Sequence, residues 1–453
     1  MGPTLGTLPK ELLLHVYSFL SPHDLAQLAT VSKGLGPLAE TLIWTDVELH
    51  CSGYHESTRQ SWDLSATAAP AARRYHPDQG RWAHGHGHRL KAESLFWLLD
   101  LAARSDIERT KQLVSRIRSL CTVLSWLNPP TWVNKPDRLE FTWNIFPLMT
   151  NLERLELHGG WKPYHDGEGR SFDESVVPLA SLRDAKLFGY LPANFVRYIL
   201  RSAPTLERLE LGVLDAPVGC NLKADGSREN PPPGWKPRSE RDEEDDDDSD
   251  DDDSLNGEQI APRPLPLFPG DTEVPAFPRL KHIRLCKPSE CNPDHFDAMF
   301  GEVVYSKRAE DASLSDWCRL LAAVQGTVET LVLEHRVAAE YIEGDGMGER
   351  EFIEECSGGP ADDHFMERIV PVLDKHAFPH LREVYIVGIL VSAGAAERRR
   401  WVTKFYEDYG MECKFLYGKW CYFDGSSGVT YWDQFDGDRD DDDDDDEEVP
   451  DGP

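Results

Sequence analysis

Long apolar runs are missing from this 453-residue chain. No stretch approaches the ~20 apolar residues that a membrane-crossing helix needs, and no charged leader followed by an apolar core opens the sequence. An intracellular protein, cytoplasmic or nuclear, without a membrane partner is therefore expected. Met1-Gly2 does not read as an acylation signal, because Gly6 stands where that pattern wants Ser or Thr. Cysteine is sparse and scattered: of the nine, only Cys286 with Cys291 and Cys413 with Cys421 lie close, and no paired Cys-x-x-Cys framework exists. Reduced thiols and no metal centre follow as expectations. His84, His86 and His88 alternate with glycine in a polar stretch, a poor preorganised ligand set.

Clustered positive charge is scarce too. The formal net charge is -32, and two runs hold much of it: residues 240–253 carry twelve acids and one Arg, residues 438–448 ten acids and one Arg. Without those runs about -12 remains, and nothing offers the basic footprint of a nucleic-acid partner. Ser249 lies among the aspartates of the first run, with Asp252 three residues later, and suits an acid-directed kinase. No Gly-rich phosphate loop follows a strand, and no Ser-His-Asp or Cys-His arrangement can be placed. The expectation is a protein without catalysis or cofactor.

What is there begins at Leu8. Residues Leu8-Pro9-Lys10-Glu11-Leu12-Leu13-Leu14-His15-Val16-Tyr17-Ser18-Phe19-Leu20 read as a helix entered through Pro9, with Glu11 at its positive end. Ser21-Pro22-His23-Asp24 restarts the pattern: Ser21 can cap a second helix, Pro22 fits its first turn, and Asp24 stands near the acid of a capping box. Leu12, Leu13, Val16, Phe19 and Leu20 are more apolar residues than one stripe needs, so two faces are predicted. One packs against Leu25, Leu28, Val31 and Leu38 of the same module, and the other stays open beside Leu8 and Pro9 for a foreign helix. Through Val31-Ser32-Lys33 and Trp44, this segment resembles an F-box. That resemblance implies docking on the small Skp-type adaptor of a cullin-based ubiquitin ligase, with Leu8, Pro9, Leu12, Val16, Leu20 and Leu25 as adaptor contacts. Gly34-Leu35-Gly36-Pro37 departs from the aromatic and basic pair common in that family and predicts a short or displaced third helix.

A six-residue phrase then recurs, starting at Leu152, Leu182, Leu206, Leu280, Val328 and Leu381, with apolar residues at its first, fourth and sixth places. This is the L-x-x-L-x-L signature of leucine-rich repeats, one short strand per repeat. The starts are spaced 30, 24, 74, 48 and 53 residues apart, and the widest gap holds a Pro-rich, acidic stretch that predicts a disordered insertion. Helical stripes fill the later gaps: Leu314, Trp317, Leu320, Leu321 and Val324, then Phe365, Ile369, Val372 and Leu373. Upstream, Leu95 to Ala102 predicts a helix, Ile117 to Leu124 a strand, and Phe141 to Met149 a short helix. Lys414 to Phe423 and Val429 to Phe435 flank Asp424-Gly425-Ser426-Ser427-Gly428 and predict a closing hairpin. Its aromatic residues, including Tyr417, Trp420, Tyr422, Tyr431 and Trp432, are expected to pack across strands rather than cage a cation.

The expected class is α/β: an N-terminal helical F-box followed by an irregular leucine-rich-repeat-like solenoid of short parallel strands and helices. Its divisions are the F-box module at 1–50, a polar linker or loop at 51–91, the first solenoid part at 92–229 and the insertion at 230–275. The second solenoid part follows at 276–412, the hairpin cap at 413–436 and a disordered acidic tail at 437–453. The implied role is a non-catalytic substrate receptor of an SCF-type ubiquitin ligase, bridging the adaptor, and through it a cullin, to an unidentified protein target. The competing expectation is an acidic binding protein or chaperone for basic clients such as histones, whose binding should collapse with salt.

Overall fold

In the computed structural model, the residues that can be described are 8–20, 22–31, 34–49, 86–125, 140–160, 176–214, 264–268, 272–289, 307–339, 353–354, 357, 359–375, 378–424 and 429–431. The first three helices are α1 (Lys10–Tyr17), α2 (Pro22–Val31) and α3 (Gly36–Ile43), followed by the three-residue strand β1 (Asp46–Glu48). Then come α4 (His86–Ser105), α5 (Ile107–Val114), β2 (Ser119–Ser125), α6 (Glu140–Ile145), β3 (Arg154–Gly160), β4 (Asp184–Tyr190), α7 (Ala193–Leu200) and β5 (Arg208–Leu214). The second half holds β6 (His282–Ser289), α8 (Lys307–Val324), β7 (Thr330–Ala339), α9 (Pro360–Lys375), β8 (Glu383–Val387), α10 (Ala395–Tyr409), β9 (Glu412–Leu416), β10 (Trp420–Asp424) and β11 (Val429–Tyr431).

All eleven strands form one mixed sheet that follows chain order from β1 to β7. Neighbours along that path are parallel, and helices α4 to α8 lie in the connections between β1 and β2, β2 and β3, β4 and β5, and β6 and β7. The recurring phrase explains the register. Its fourth residues align across the sheet as Leu155, Ala185, Leu209, Ile283, Leu331 and Val384, and its sixth as Leu157, Leu187, Leu211, Leu285, Leu333 and Ile386. All twelve are buried, as are the six residues that open the phrases. They share one apolar cluster with helical side chains such as Phe195, Tyr198, Trp317, Phe365 and Phe405.

Beyond β7 the sheet forks. Thr330–Glu334 of β7 pairs with β8, which pairs in turn with β9, whereas Val337–Ala339 pairs with β10. Gly388 makes the branch possible: its φ is +67°, and a Cβ there would lie 2.1 Å from the His335 carbonyl oxygen. The C-terminal expectation is corrected here. Lys414 to Phe423 is not one arm of a hairpin but two strands divided at Gly418 (φ +79°), and β9 is a parallel member of the main sheet. Only β10 and β11 form the antiparallel hairpin, and it leans on β7.

Two other boundaries move. Helix α4 begins at His86, inside the expected loop, while residues 50–85 lie outside the described region. The expected insertion at 230–275 ends early: Pro264 bridges Leu214, and Leu265, Leu267 and Phe268 are buried in the main core. Its acidic run, Ser249 and the tail at 437–453 all lie outside the described residues. No helix among the described residues is long and apolar enough to cross a membrane.

Candidate functional site

Helix α1 carries two apolar faces because large apolar or aromatic residues recur there at both i and i+1 with four-residue spacing, Leu12 with Val16 and Leu13 with Tyr17. Pro9 sits at its N-cap in an extended conformation, one place before the expected first turn, and its carbonyl accepts from the Leu13 amide at 3.0 Å. Leu13 and Tyr17, four residues apart, point into a small core with Leu25 and Ala39, against which Leu8, Leu20, Leu28 and Leu38 pack in part. Leu12 and Val16, also four apart, point outward with 52% and 40% exposure, and Phe19, 77% exposed, extends the strip beyond the helix end. The Phe19 ring meets His15 edge-on at 5.1 Å.

The six expected contacts therefore divide. Pro9, Leu12 and Val16 form an open face, Leu8 and Leu20 are half-buried at its border, and Leu25 is corrected: at 6% exposure it belongs to the module's own core. Val31, expected inside, is 79% exposed. Phe19, two residues past α1 on the outward side, joins this strip, although the sequence expectation places it among the apolar residues of the helix and not among the contacts. The Ser21 cap lies outside the described residues. The third helix is eight residues long and enters at Gly36, where a Cβ would approach the Ala29 carbonyl oxygen to 2.9 Å, so α2 and α3 pack too closely for a side chain there.

Strand β1 ties this module to the sheet. It pairs with β2, the Leu49 amide donates to the Cys121 carbonyl at 2.9 Å, and Arg116 lies 3.3 Å from Glu40 of α3. Beside this junction, at the starts of the strands, lies a cleft of about 490 Å³ lined by Asp46, Arg154, Asp184, Arg208 and His282 among others.

That cleft exposes a pattern the sequence reading passed over. In successive phrases the polar positions invert their charge: Glu153, Arg183, Glu207, Lys281, Glu329 and Arg382 occupy the second place, and Glu156, Lys186, Glu210 and Arg284 the fifth. Parallel in-register pairing sets opposite charges side by side. Arg118 meets Glu153 at 3.0 Å, Arg183 meets Glu207 at 2.7 Å, and Arg154 meets Asp46 at 2.8 Å. The fifth-place ladder is largely buried. Arg208 donates to Glu210 at 2.6 Å, Arg284 lies 3.4 Å from Glu210 and donates to Glu334 at 2.9 Å, and Arg336 donates to Glu334 at 2.8 Å. Burial alone would raise the Glu210 carboxyl; the His282 imidazole 3.5 Å away and the guanidiniums of Arg284 and Arg208, with Lys186, outweigh it and bring the pKa down to about 2. Such pairs oppose a register slip, since a shifted strand would leave a buried charge without its partner.

On the helix side, at the far ends of β6 and β7, His335 is fully buried. Its Nδ1 lies 3.2 Å from Asp362, whose other oxygen accepts the Leu390 amide at 2.7 Å. Burial, then the nearby Lys287 charge, hold His335 well below the usual histidine range, so it is neutral. Burial likewise pushes the thiols of Cys121, Cys413 and Cys421 up, away from the thiolate a nucleophile needs. Tyr417 and Trp420 are buried, consistent with packing rather than a cage; Tyr431 and Trp432 have no described side chain. Among the described residues, no three His, Cys, Asp or Glu side chains group as a metal site.

Residues 5–50 match the F-box-like family. No curated protein matches the chain.

Proposed function

We propose that this protein is a substrate receptor of an SCF-type ubiquitin ligase, holding a Skp-type adaptor through Pro9, Leu12, Val16 and Phe19 with Leu8 and Leu20 at the border. The observation that carries the reading is the outward face of α1, apolar and uncovered on a module matched to the F-box-like family. An exposed apolar helix face in a chain of net charge -32 is what a helix-on-helix docking site requires. The sheet, read as a run of irregular leucine-rich-repeat-like units, holds the protein target; the stacked phrase positions support that reading. No bond is made or broken by this chain. Tethering raises the target's effective concentration near the charged enzyme carried by the cullin.

The test is capture of adaptor and cullin by the full-length protein. Leu12→Asp/Val16→Asp places two charges on exposed positions, so the protein should melt as the wild type does while adaptor affinity falls at least about 100-fold, the scale of hot-spot loss. Undiminished capture by this variant would overturn the assignment. Adaptor captured without cullin would keep the docking face and remove the ligase role.

A further inference from the structure

Helix α10 carries the one run of three consecutive basic residues in the sequence, Arg398-Arg399-Arg400, followed by Trp401 and Lys404. Arg398 is spent on the fold: its guanidinium donates to the carbonyls of Leu390 (3.4 Å), Val391 (3.0 Å) and Ala393. Arg399 and Arg400 are exposed. Arg399 makes no ion pair with a described residue, and Arg400 has only the exposed Glu397 one turn back, at 3.5 Å. The Arg400 guanidinium and the Lys404 ammonium both lie over the Trp401 ring, at 5.7 and 5.0 Å, which holds the cations on one surface.

This placement works against the helix itself. The three arginines are the fourth to sixth residues of α10, near the end whose dipole is positive, where cations are disfavoured. It also contrasts with the cleft at the strand starts, where Arg118, Arg154 and Arg183 each already face a carboxylate.

We propose that Arg399, Arg400 and Lys404 form a docking face for an acidic segment, and that its occupant in the free protein is the chain's own run at residues 438–448. Two observations select that occupant. The run carries ten acids against one Arg, complementary to the face. The chain also leaves the sheet close by. Tyr431 of β11 pairs with Tyr422, two residues past the start of β10. Just before that start, a Cβ on Gly418 would come within 2.9 Å of the Gly388 nitrogen. Gly388 opens the turn whose carbonyls at Leu390 and Val391 hold Arg398. At about 3.4 Å per extended residue, the acids can reach from roughly 24 Å to nearly 60 Å beyond Tyr431, enough to follow this path back to α10. Tethering at such length corresponds to an effective concentration in the millimolar range, so a weak electrostatic contact is populated. An acidic partner from outside then has to displace the tail to reach α10.

The experiment uses the full-length protein and a zero-length carbodiimide, which joins Lys404 directly to carboxylates in contact with it, with the linked peptides read by mass spectrometry. A mixture of isotope-labelled and unlabelled protein separates links within a chain from links between chains. Expected is an intrachain link from Lys404 to residues 438–448 at about 0.05 M salt, falling at least ten-fold at about 0.5 M, where screening shortens to a few ångströms. The same loss is expected in Arg399→Glu/Arg400→Glu, and a smaller one in Arg399→Ala/Arg400→Ala, which serves if the charge reversal misfolds. Three results would overturn the proposal: no link from Lys404 to the tail, a link that persists in both variants, or links from Lys404 only to residues 240–253 or to another chain. None of these bears on adaptor capture.

Discussion

Of the nine large apolar side chains standing exposed among the described residues, four (Leu12, Val16, Phe19 and Val31) belong to the first 49 residues, while the rest of the protein spreads five over several helices and a loop. The same short module buries a core of only Leu13, Tyr17, Leu25 and Ala39, whereas the sheet and its helices share one continuous apolar cluster from Val47 to Phe415. Charge is distributed in the opposite sense. The module's described residues include no buried charged side chain, while the sheet buries Glu156, Glu210, Arg284, Glu334 and Arg336. A module with little core and much open apolar surface is built to gain stability from a partner; a sheet with one continuous core and paired charges along its strands is built to hold its shape alone.

That comparison breaks most visibly in the core. Leu331→Ala removes a fully buried side chain from the middle of the sheet and should cost about 3–5 kcal/mol, lowering the main thermal transition. Leu25→Ala should cost a similar amount locally, yet hydrogen exchange should show the loss confined to residues 10–43 while the sheet amides stay protected. If Leu25→Ala loosens the whole sheet, the two cores are one cooperative unit and the comparison fails. Adaptor added in excess should restore protection to the module in that variant, an effect with no counterpart for Leu331→Ala.

The ion ladder gives the next largest effect. Glu210 is depressed to about 2, so the stability it contributes is complete above the ordinary glutamate pKa near 4.5 and is lost as pH falls from there toward 2, about 3 kcal/mol in all. Glu210→Gln should remove that acid limb and destabilise the protein at neutral pH by a comparable amount, because Arg208 and Arg284 lose their carboxylate. Denaturant unfolding at pH 7 and pH 3.5 reads both. His335 acts in a higher window. As a buried neutral histidine its folded pKa is lowered, so stability is present above about pH 6.5 and falls below it, by up to about 1.4 kcal/mol per pH unit. His335→Asn should flatten the slope between pH 6.5 and 5 and leave the Glu210 limb intact. The module, lacking such groups, should unfold without either step.

Strand phrases were legible because period-two burial and a parallel register repeat the same three apolar positions, and every one of them is buried. The charge inversion between phrases was equally present at Glu153, Arg183 and Glu207, but its meaning needs the register, which a single strand does not reveal. Strand β9 was misread because Met411, Cys413 and Phe415 lack the opening leucine of the phrase and run on toward β10; only the positive φ of Gly418 divides them. On α1 the two faces were legible and their division was not. Leu12 and Leu13 are chemically identical neighbours, and which of them faces the core depends on where α2 and α3 lie.

The smallest effect tests the module alone. The Tyr17 hydroxyl is buried in its core with no hydrogen-bond partner among the described residues, in a side chain that is otherwise fully packed. A buried polar group without a partner carries its desolvation cost uncompensated, so Tyr17→Phe should stabilise the module by about 1 kcal/mol without altering the outward face. Hydrogen exchange of α1 and α3 measures the gain, and adaptor affinity should hold or rise slightly because less of the binding energy goes to ordering the module. A loss of stability on removing the hydroxyl would mean that the oxygen finds a partner in solution, and that the module's four-residue core is supported by more than apolar contact.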